Sequence, residues 1–256
     1  MKSRPPMLCI HGFTGSWRNW TPILDALHTS YDVTAARLLG HRDGQPLPIG
    51  KVPALGMLAD GLERDMDAAG IDTAHLVGNS LGGWLALELA SRGRARSVVA
   101  LSPGFGWHAD RRTAEVFAAF RRGHALYKVA SPVKNLVLRS NTARRALLGH
   151  ALHNPCGISR EVAADIIDDN VECHGFDTLI REFDGLEPPL GRIECPVRIA
   201  WGEFDRIIPQ APFGTRFPGL VPNATFTTIP NVGHVPMYDD PRRVVAEIVE
   251  HTTLAN

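Results

Sequence analysis

The sequence predicts an α/β fold, in which a mostly parallel sheet is flanked by helices and a helical cap is inserted. Short apolar segments alternate with helical patterns up to Pro103. The alternation stops between Pro103 and Pro196, where the patterns are helical throughout, and it resumes towards the C-terminus. We therefore assign residues 1–103 and 190–256 to an α/β core and residues 104–189 to the cap.

The predicted strands of the core are apolar runs, which is typical of strands buried on both faces of a helix-covered parallel sheet. Helices connect them, as parallel strands require. The closing helix begins at Pro241, with Asp239 and Asp240 as candidate caps. The predicted strands are 7–10, 31–38, 74–79, 97–103, 197–202 and 224–230, and the predicted helices are 19–29, 57–70, 81–93 and 241–254.

The cap carries good helix-start signals. Ser131 followed by Pro132 fits an N-cap with proline at the first helical position, and Ser159 fits a second N-cap. The predicted cap helices are 110–127, 132–150, 159–170 and 174–184.

The composition is that of an ordinary globular chain, with 256 residues of which 44% are hydrophobic. The 27 basic and 27 acidic residues cancel, so nucleic acid and anionic membrane surfaces are not expected partners. The run Met7–Ile10 is too short for a signal-peptide core, and no apolar window is long enough to span a membrane. The oligomeric state stays open.

The four cysteines lie far apart and form no C-x-x-C motif, which favours a cytoplasmic protein with reduced thiols. The histidines form no H-E-x-x-H motif and no paired Cys/His ligand spacing. We therefore expect no metal and no other cofactor.

Ser80 lies in a G-x-S-x-G motif between Gly78 and Gly82, with a predicted strand before it and a predicted helix after it. This pattern is typical of a nucleophile elbow, a tight turn that leaves no room for side chains at the glycines. A serine hydroxyl is a poor nucleophile and needs a base, a group that orients the base, and donors for the developing oxyanion. An alternative interpretation of the G-x-S-x-G run is a small-residue motif for helix packing.

The base and its partner are expected further along the chain, in the order acid and then histidine. Asp205 follows the predicted strand 197–202, and His234 lies in the loop after the strand 224–230. Functional groups collect at these carboxyl ends in a parallel sheet. Glu203 is a competing candidate for the acid.

These motifs resemble the α/β-hydrolase superfamily, in its serine-nucleophile branch. The resemblance implies an oxyanion hole formed by the backbone amides of Phe13 and Leu81, and a structural role for His11. Relatives commonly have two strands before the HG loop, whereas His11 leaves room for one. The matching segments are HGFTGSWRNW (11–20), LLGHRDG (38–44), GNSLGG (78–83), GEFDRIIP (202–209) and GHVPMYDDP (233–241).

A serine nucleophile argues against the similar dehalogenases and epoxide hydrolases, which need a carboxylate. The resemblance favours a serine esterase acting on a small or medium carboxylic ester or lactone, with Ser80, His234 and Asp205 as the catalytic triad. Asn79 before the serine is similar to carbon–carbon hydrolases of aromatic degradation. A menaquinone-pathway synthase is a weaker alternative, because Trp84 replaces the usual arginine. A ligand receptor on a hydrolase scaffold is the non-enzyme alternative.

The expected partner is a small-molecule ester or related acyl substrate, whose pocket depends on how the cap docks. Each candidate wall residue could equally be an ordinary core or surface residue. The candidates are Phe13, Trp17, Leu81, Phe105, Trp107 and Val235.

The charge is distributed unevenly in the cap. Residues 104–150 contain nine basic and two acidic side chains, whereas residues 151–190 contain two basic and nine acidic ones. The two halves could be separate solvated faces, or the basic half could attract an anionic substrate. We favour a third hypothesis, in which the halves face each other across an ion-pair network.

Overall fold

The structure, a computed structural model, describes residues 4–48 and 53–254. In these residues, six strands form one fully parallel sheet. The strands are β1 Pro6–Ile10, β2 Asp32–Ala35, β3 Ala74–Asn79, β4 Ala95–Leu101, β5 Val197–Gly202 and β6 Thr225–Ile229. Their order across the sheet is β2-β1-β3-β4-β5-β6, so the order reverses at β1. The carboxyl ends of the strands near such a reversal are where ligands bind in open α/β sheets.

The helices confirm the predicted alternation with strands and the helical insertion after β4. In the described residues they are α1 Thr21–His28, α2 Ala54–Ala68, α3 Leu81–Ser91, α4 Arg111–Ala130, α5 Lys134–Val137, α6 Asn141–Leu148, α7 Arg160–Val171, α8 Phe176–Phe183, α9 Gln210–Phe213, α10 Phe217–Leu220, α11 Pro236–Asp239 and α12 Pro241–Thr253. The short helices α9, α10 and α11 were not predicted from the sequence.

Strand β1 illustrates how the sequence divides the core between the two faces of the sheet. Met7 and Cys9 belong to one buried cluster, and Leu8 and Ile10 belong to the other. Alternate side chains of a strand point to opposite faces, so the strand contributes to both clusters. The inner strands β3 and β5 are buried at every position, as predicted for a sheet covered on both faces.

The inserted segment, residues 104–189, contains α4 to α8. The prediction of one helix over 132–150 was wrong, because the chain there forms a 3-10 turn followed by α5 and α6. Ser131 is the first residue of that turn and the C-cap of α4, so the predicted N-cap role was wrong. The side chain of Ser140 instead accepts the amide of Ala143 at 3.3 Å and starts α6. The predicted cap at Ser159 is confirmed, since its side chain accepts the amide of Val162 at 3.2 Å.

The favoured hypothesis for the charge distribution was largely wrong. In the described residues, two pairs of a Lys or Arg with an acid join the basic half of the inserted segment to its acidic half: Lys134–Asp168 and Arg121–Asp184. His108 also lies 3.6 Å from Glu187. The acidic side of α7 instead lies against the loop after β2.

The anchor in that loop is Arg42, which pairs with Asp165 at 3.4 Å, Asp169 at 3.1 Å and Glu172 at 3.2 Å. Asp169 is buried and also accepts a hydrogen bond from Ser16 at 2.7 Å. The acidic half therefore holds the inserted segment on the core. No helix of the described ranges has the length and apolar character needed to cross a membrane.

Candidate active site

Ser80 lies at the turn between β3 and α3, with a positive φ of 56°. A non-glycine residue rarely adopts this left-handed region, so the turn is strained. A Cβ atom on Gly78 would overlap the carbonyl of Gly82, and one on Gly82 would overlap the carbonyl of Ile10. The glycines are therefore required by close backbone packing, as the motif predicted.

Backbone hydrogen bonds hold the strained turn in place. The Ser80 amide donates to the carbonyl of Leu101 at 2.9 Å, and the Ser80 carbonyl accepts from Gly104 at 3.0 Å and from Trp84 at 3.1 Å. A Cβ on Gly12 would lie 3.1 Å from the Cβ of Ser80. The loop that follows β1 thus passes directly beside the serine.

His234 and Asp205 form a buried pair. His234 Nδ1 donates to Asp205 Oδ2 at 2.7 Å, and Asp205 Oδ1 accepts the amides of Ile207 and Ile208, both at 2.9 Å. Because Asp205 fixes the proton on Nδ1, the Nε2 atom of a neutral ring is left as the basic nitrogen. Burial alone would raise the pKa of Asp205, but the attraction of His234 and these hydrogen bonds lower it overall, so the carboxylate stays ionised.

The competing acid, Glu203, has a different role. It is exposed, and its carboxylate accepts the amide of Asn231 at 2.9 Å. It caps the loop that carries the histidine, whereas Asp205 contacts the ring.

Asp239 and Asp240 also differ in what they bind. Asp240 caps α12 by accepting the amide of Arg243 at 3.0 Å, as predicted. The predicted capping role of Asp239 was wrong. It accepts the amides of Gly233 at 2.8 Å, His153 at 2.9 Å and Asn154 at 2.8 Å. Asp239 therefore ties the residue before His234 to the inserted segment.

Asn79, like Asp239, positions the loop that carries His234, a role that was not predicted from the sequence. Its buried side chain donates from Nδ2 to the carbonyls of His234 at 2.9 Å and Leu101 at 3.1 Å. It thus joins the serine turn to the histidine loop through a single amide group.

Ser80 and His234 line the same cavity, which has a volume of about 570 Å³. Phe13 and Val235 line it from the core, as predicted, and the inserted segment adds its own wall, including Phe120. No hydrogen bond joins Ser80 to His234 among the described residues. The side chains that the inserted segment contributes to this lining are those of Arg112, Glu115, Val116, Ala119, Phe120, His124, Tyr127, His150, Ala151, Ile166 and Asn170.

The remaining predicted wall residues lie elsewhere. Leu81, Phe105 and Trp107 line a smaller cavity of about 30 Å³ that also borders Ser80. Trp17 lines neither cavity, so its predicted pocket role was wrong. Its Nε1 donates to Asp43 at 3.1 Å.

Comparison with known proteins agrees with this architecture. The sequence matches the alpha/beta hydrolase family over residues 7–248. The chain belongs to the alpha/beta hydrolase family.

The relatives of this alpha/beta hydrolase are named for different reactions. It is 36% identical to the epoxide hydrolase EphH of Mycobacterium tuberculosis over 193 residues, which cover 73% of this chain and 90% of EphH. It is 24% identical over 203 residues to a 2-hydroxy-6-oxononadienedioate/2-hydroxy-6-oxononatrienedioate hydrolase of Dechloromonas aromatica, covering 75% of this chain and 68% of that hydrolase.

Among solved structures, a bacterial membrane phospholipase A superposes with a TM-score of 0.76 at 25% identity, covering all of this chain and 80% of the phospholipase. The family therefore establishes a hydrolase, and the reaction must be inferred from this chain's own residues.

His11 of the hydrolase is buried and does not belong to the cavity lining. Its Nε2 accepts the amide of Leu38 at 3.4 Å, and its ring packs edge-on against His41 with centroids 5.1 Å apart. Burial, followed by the charge of His41, lowers the pKa of His11 to about 3, and burial lowers the pKa of His41 to about 4. Both rings are neutral near pH 7, which fits the predicted structural role of His11.

The described residues contain no group of three or more His, Cys, Asp or Glu side chains placed to hold a metal ion.

His150 lines the cavity together with His124 and His234. Burial and the charge of His234 lower its pKa. His150 was missed because its sequence surroundings carry no motif.

Proposed function

We propose that this hydrolase cleaves a small or medium carboxylic ester or lactone through an acyl-enzyme on Ser80. Ser80 is the nucleophile, His234 the base and Asp205 the residue that orients the base. The inserted segment acts as a cap that forms the outer wall of the substrate cavity. The observation that carries the proposal is the buried His234–Asp205 hydrogen bond beside the cavity that Ser80 also lines.

In the first half-reaction, Ser80 Oγ attacks the ester carbonyl while His234 Nε2 takes the hydroxyl proton. The charge that develops on the ring is stabilised by Asp205, which stays ionised. His234 then gives the proton to the departing alcohol oxygen, and the acyl group remains on Ser80. For a lactone, the alcohol stays attached to the acyl chain.

The proposed oxyanion hole consists of the amides of Phe13 and Leu81. Leu81 is the first residue of α3, where amides lack intrahelical partners. Neither amide has a hydrogen-bond acceptor among the described residues. The Phe13 ring stacks on Phe176 with centroids 5.3 Å apart, which would hold its backbone in place.

In the second half-reaction, a water molecule gives a proton to His234 and attacks the acyl carbonyl, releasing the acid and restoring Ser80. The largely apolar cavity favours an uncharged substrate segment of modest size.

A carbon–carbon hydrolase is the second candidate, supported by the similarity to the Dechloromonas aromatica enzyme. The side chain of Asn79, the residue that suggested this reaction, donates both of its observed bonds to backbone carbonyls. We therefore prefer the ester reaction.

A panel of aryl esters with graded acyl length tests the proposal. We expect turnover of the purified protein, with a loss on the order of 10³-fold or more in Ser80→Ala, His234→Ala and Asp205→Asn. Double variants should lose little more, because the three residues act as a unit. Absence of ester turnover together with cleavage of a vinylogous diketone would favour the carbon–carbon reaction. Tight ligand binding without any turnover would favour a receptor.

A further inference from the structure

A buried polar pair lies in the part of the cavity wall that the inserted segment supplies. His124 on α4 is 6% exposed and Asn170 on α7 is 8% exposed, and both line the cavity that holds Ser80. Their neighbours in the lining include the apolar side chains of Val116, Phe120 and Ile166. The proposed triad makes no use of this pair.

The His124 ring is fixed by two contacts. Its Nδ1 lies 2.9 Å from Asn170 Oδ1, and its face stacks on Phe176 with centroids 3.8 Å apart and planes only 7° apart. An amide oxygen can only accept, so His124 Nδ1 is the donor. The orientations of both polar side chains follow from this bond.

Two polar atoms of the pair remain available. In the neutral ring, His124 Nε2 is an acceptor, and Asn170 Nδ2 is a donor. Among the described residues, no hydrogen bond reaches either atom. Tyr127, also in the lining, differs because its hydroxyl donates to the carbonyl of Leu147 at 2.7 Å.

A donor and an acceptor on two hydrogen-bonded side chains of one cavity wall match a hydroxyl group, which both accepts and donates. A ligand that covers these two atoms without pairing them removes their access to water at a cost, so a ligand that satisfies both atoms binds better than one that satisfies neither. A plain alkyl chain would leave the pair unsatisfied.

We propose that His124 Nε2 and Asn170 Nδ2 bind a hydroxyl group of the substrate, remote from the carbonyl that Ser80 attacks. The hydroxyl donates to His124 and accepts from Asn170. The inference rests on the proposed ester reaction and narrows its substrate class to hydroxylated esters or lactones.

The test compares esters that differ by one hydroxyl. Aryl esters of unbranched acids are paired with analogues hydroxylated at successive acyl positions, and acetates of alcohols with acetates of the matching diols. We expect kcat/KM to be about 10- to 100-fold higher for the best hydroxylated ester than for its parent. The increase in kcat/KM should come mainly from a lower KM if His124 and Asn170 contribute equally to ground-state and transition-state binding.

Two variants test whether the preference for hydroxylated esters depends on His124 and Asn170. His124→Phe keeps a ring against Phe176, and Asn170→Leu keeps the volume, but each removes the polar atoms. We expect both to turn over the parent ester and to lose most of the hydroxyl preference. Val129→Ala, at an exposed position of α4 outside the cavity lining, is the control and should keep the preference.

Binding to Ser80→Ala gives a readout that does not need turnover. Calorimetry with methyl esters should show tighter binding of the hydroxylated compound, even if the proposed reaction fails. Equal binding and equal kcat/KM for all pairs would overturn the inference, as would a stronger preference for carboxylate-terminated esters. Retention of the preference in both polar-to-apolar variants would also overturn it.

Discussion

Asp239 Oδ2 accepts the backbone amide of Gly233 at 2.8 Å, immediately before the proposed base His234. The same carboxylate accepts two amides of the inserted segment, from His153 and Asn154. The amide of Val235, on the other side of His234, donates to the carbonyl of Ala151 at 3.1 Å. The loop that carries His234 is therefore held against the inserted segment on both sides of the histidine, so the position of the inserted segment affects the alignment of the proposed base.

The first prediction is that Asp239→Ala lowers kcat/KM by about 10- to 100-fold, because a displacement of the base by about 1 Å is enough for such a loss. The matched control is Asp240→Ala, which removes only the cap of α12. That control should lose about 1 kcal/mol of unfolding free energy and keep its kcat. Steady-state kinetics and thermal melts distinguish the two; equal kcat values in both variants would contradict the positioning role.

The second prediction concerns Arg42, the anchor of the inserted segment on the core. Arg42→Gln should speed protease cleavage within residues 104–189, because the variant loses ion pairs to three acidic side chains. Breaking a pair with a buried partner such as Asp169 costs up to about 3–5 kcal/mol. The control Arg121→Gln removes one exposed pair, with Asp184, worth about 0–1 kcal/mol. Cleavage that is equally slow in both variants would exclude Arg42 as the anchor.

The third prediction is a loss of stability below about pH 6.5, caused by His11 and His41. Their pKa values are lowered to about 3 and about 4 in the fold, so the unfolded chain binds more protons between these values and the ordinary histidine pKa of about 6.5. The free energy of unfolding is therefore fully retained above about pH 6.5 and falls as the pH is lowered, by up to about 1.4 kcal/mol per pH unit for each histidine.

Chemical denaturation of the wild-type protein and of His41→Asn, from pH 7.5 to pH 5, checks this slope. The variant should show a shallower decrease, whatever its stability at pH 7.5. The exposed residue His28 provides the control, because His28→Asn should leave the slope unchanged. Parallel curves for wild type and His41→Asn would show that His41 does not contribute.

The fourth prediction separates this chain from its relative named as an epoxide hydrolase. A serine that opened an epoxide would form an ether, which water attack cannot release, whereas a carboxylate would form an ester that water can cleave. We expect no sustained turnover of styrene oxide and similar epoxides, measured by diol formation. Multiple turnovers that disappear in Ser80→Ala would contradict this expectation.

The positions of the proposed catalytic residues could be predicted because each is encoded locally. Gly78 and Gly82 flank Ser80 within one turn, and Asp205 and His234 each follow closely on the strand that positions them. Backbone packing and strand order bring these short segments to one edge of the sheet. For this reason the fold class and the serine turn followed from residue spacing.

The docking of the inserted segment could not be predicted, because it depends on contacts between residues far apart in sequence. Asp239 lies 85 residues from its partner Asn154, and Arg42 lies 127 residues from Asp169. Such pairs leave no spacing pattern. The His124–Asn170 pair was missed for the same reason, since the two residues lie on separate helices, α4 and α7.

Labelling with a fluorophosphonate, followed by peptide mapping, tests whether Ser80 is the activated nucleophile. An activated serine should react once per chain, so we expect a single adduct on Ser80 that is absent in Ser80→Ala and forms far more slowly in His234→Ala. Ester turnover that continues without an adduct, or an adduct on any other residue, would show that Ser80 is not the nucleophile.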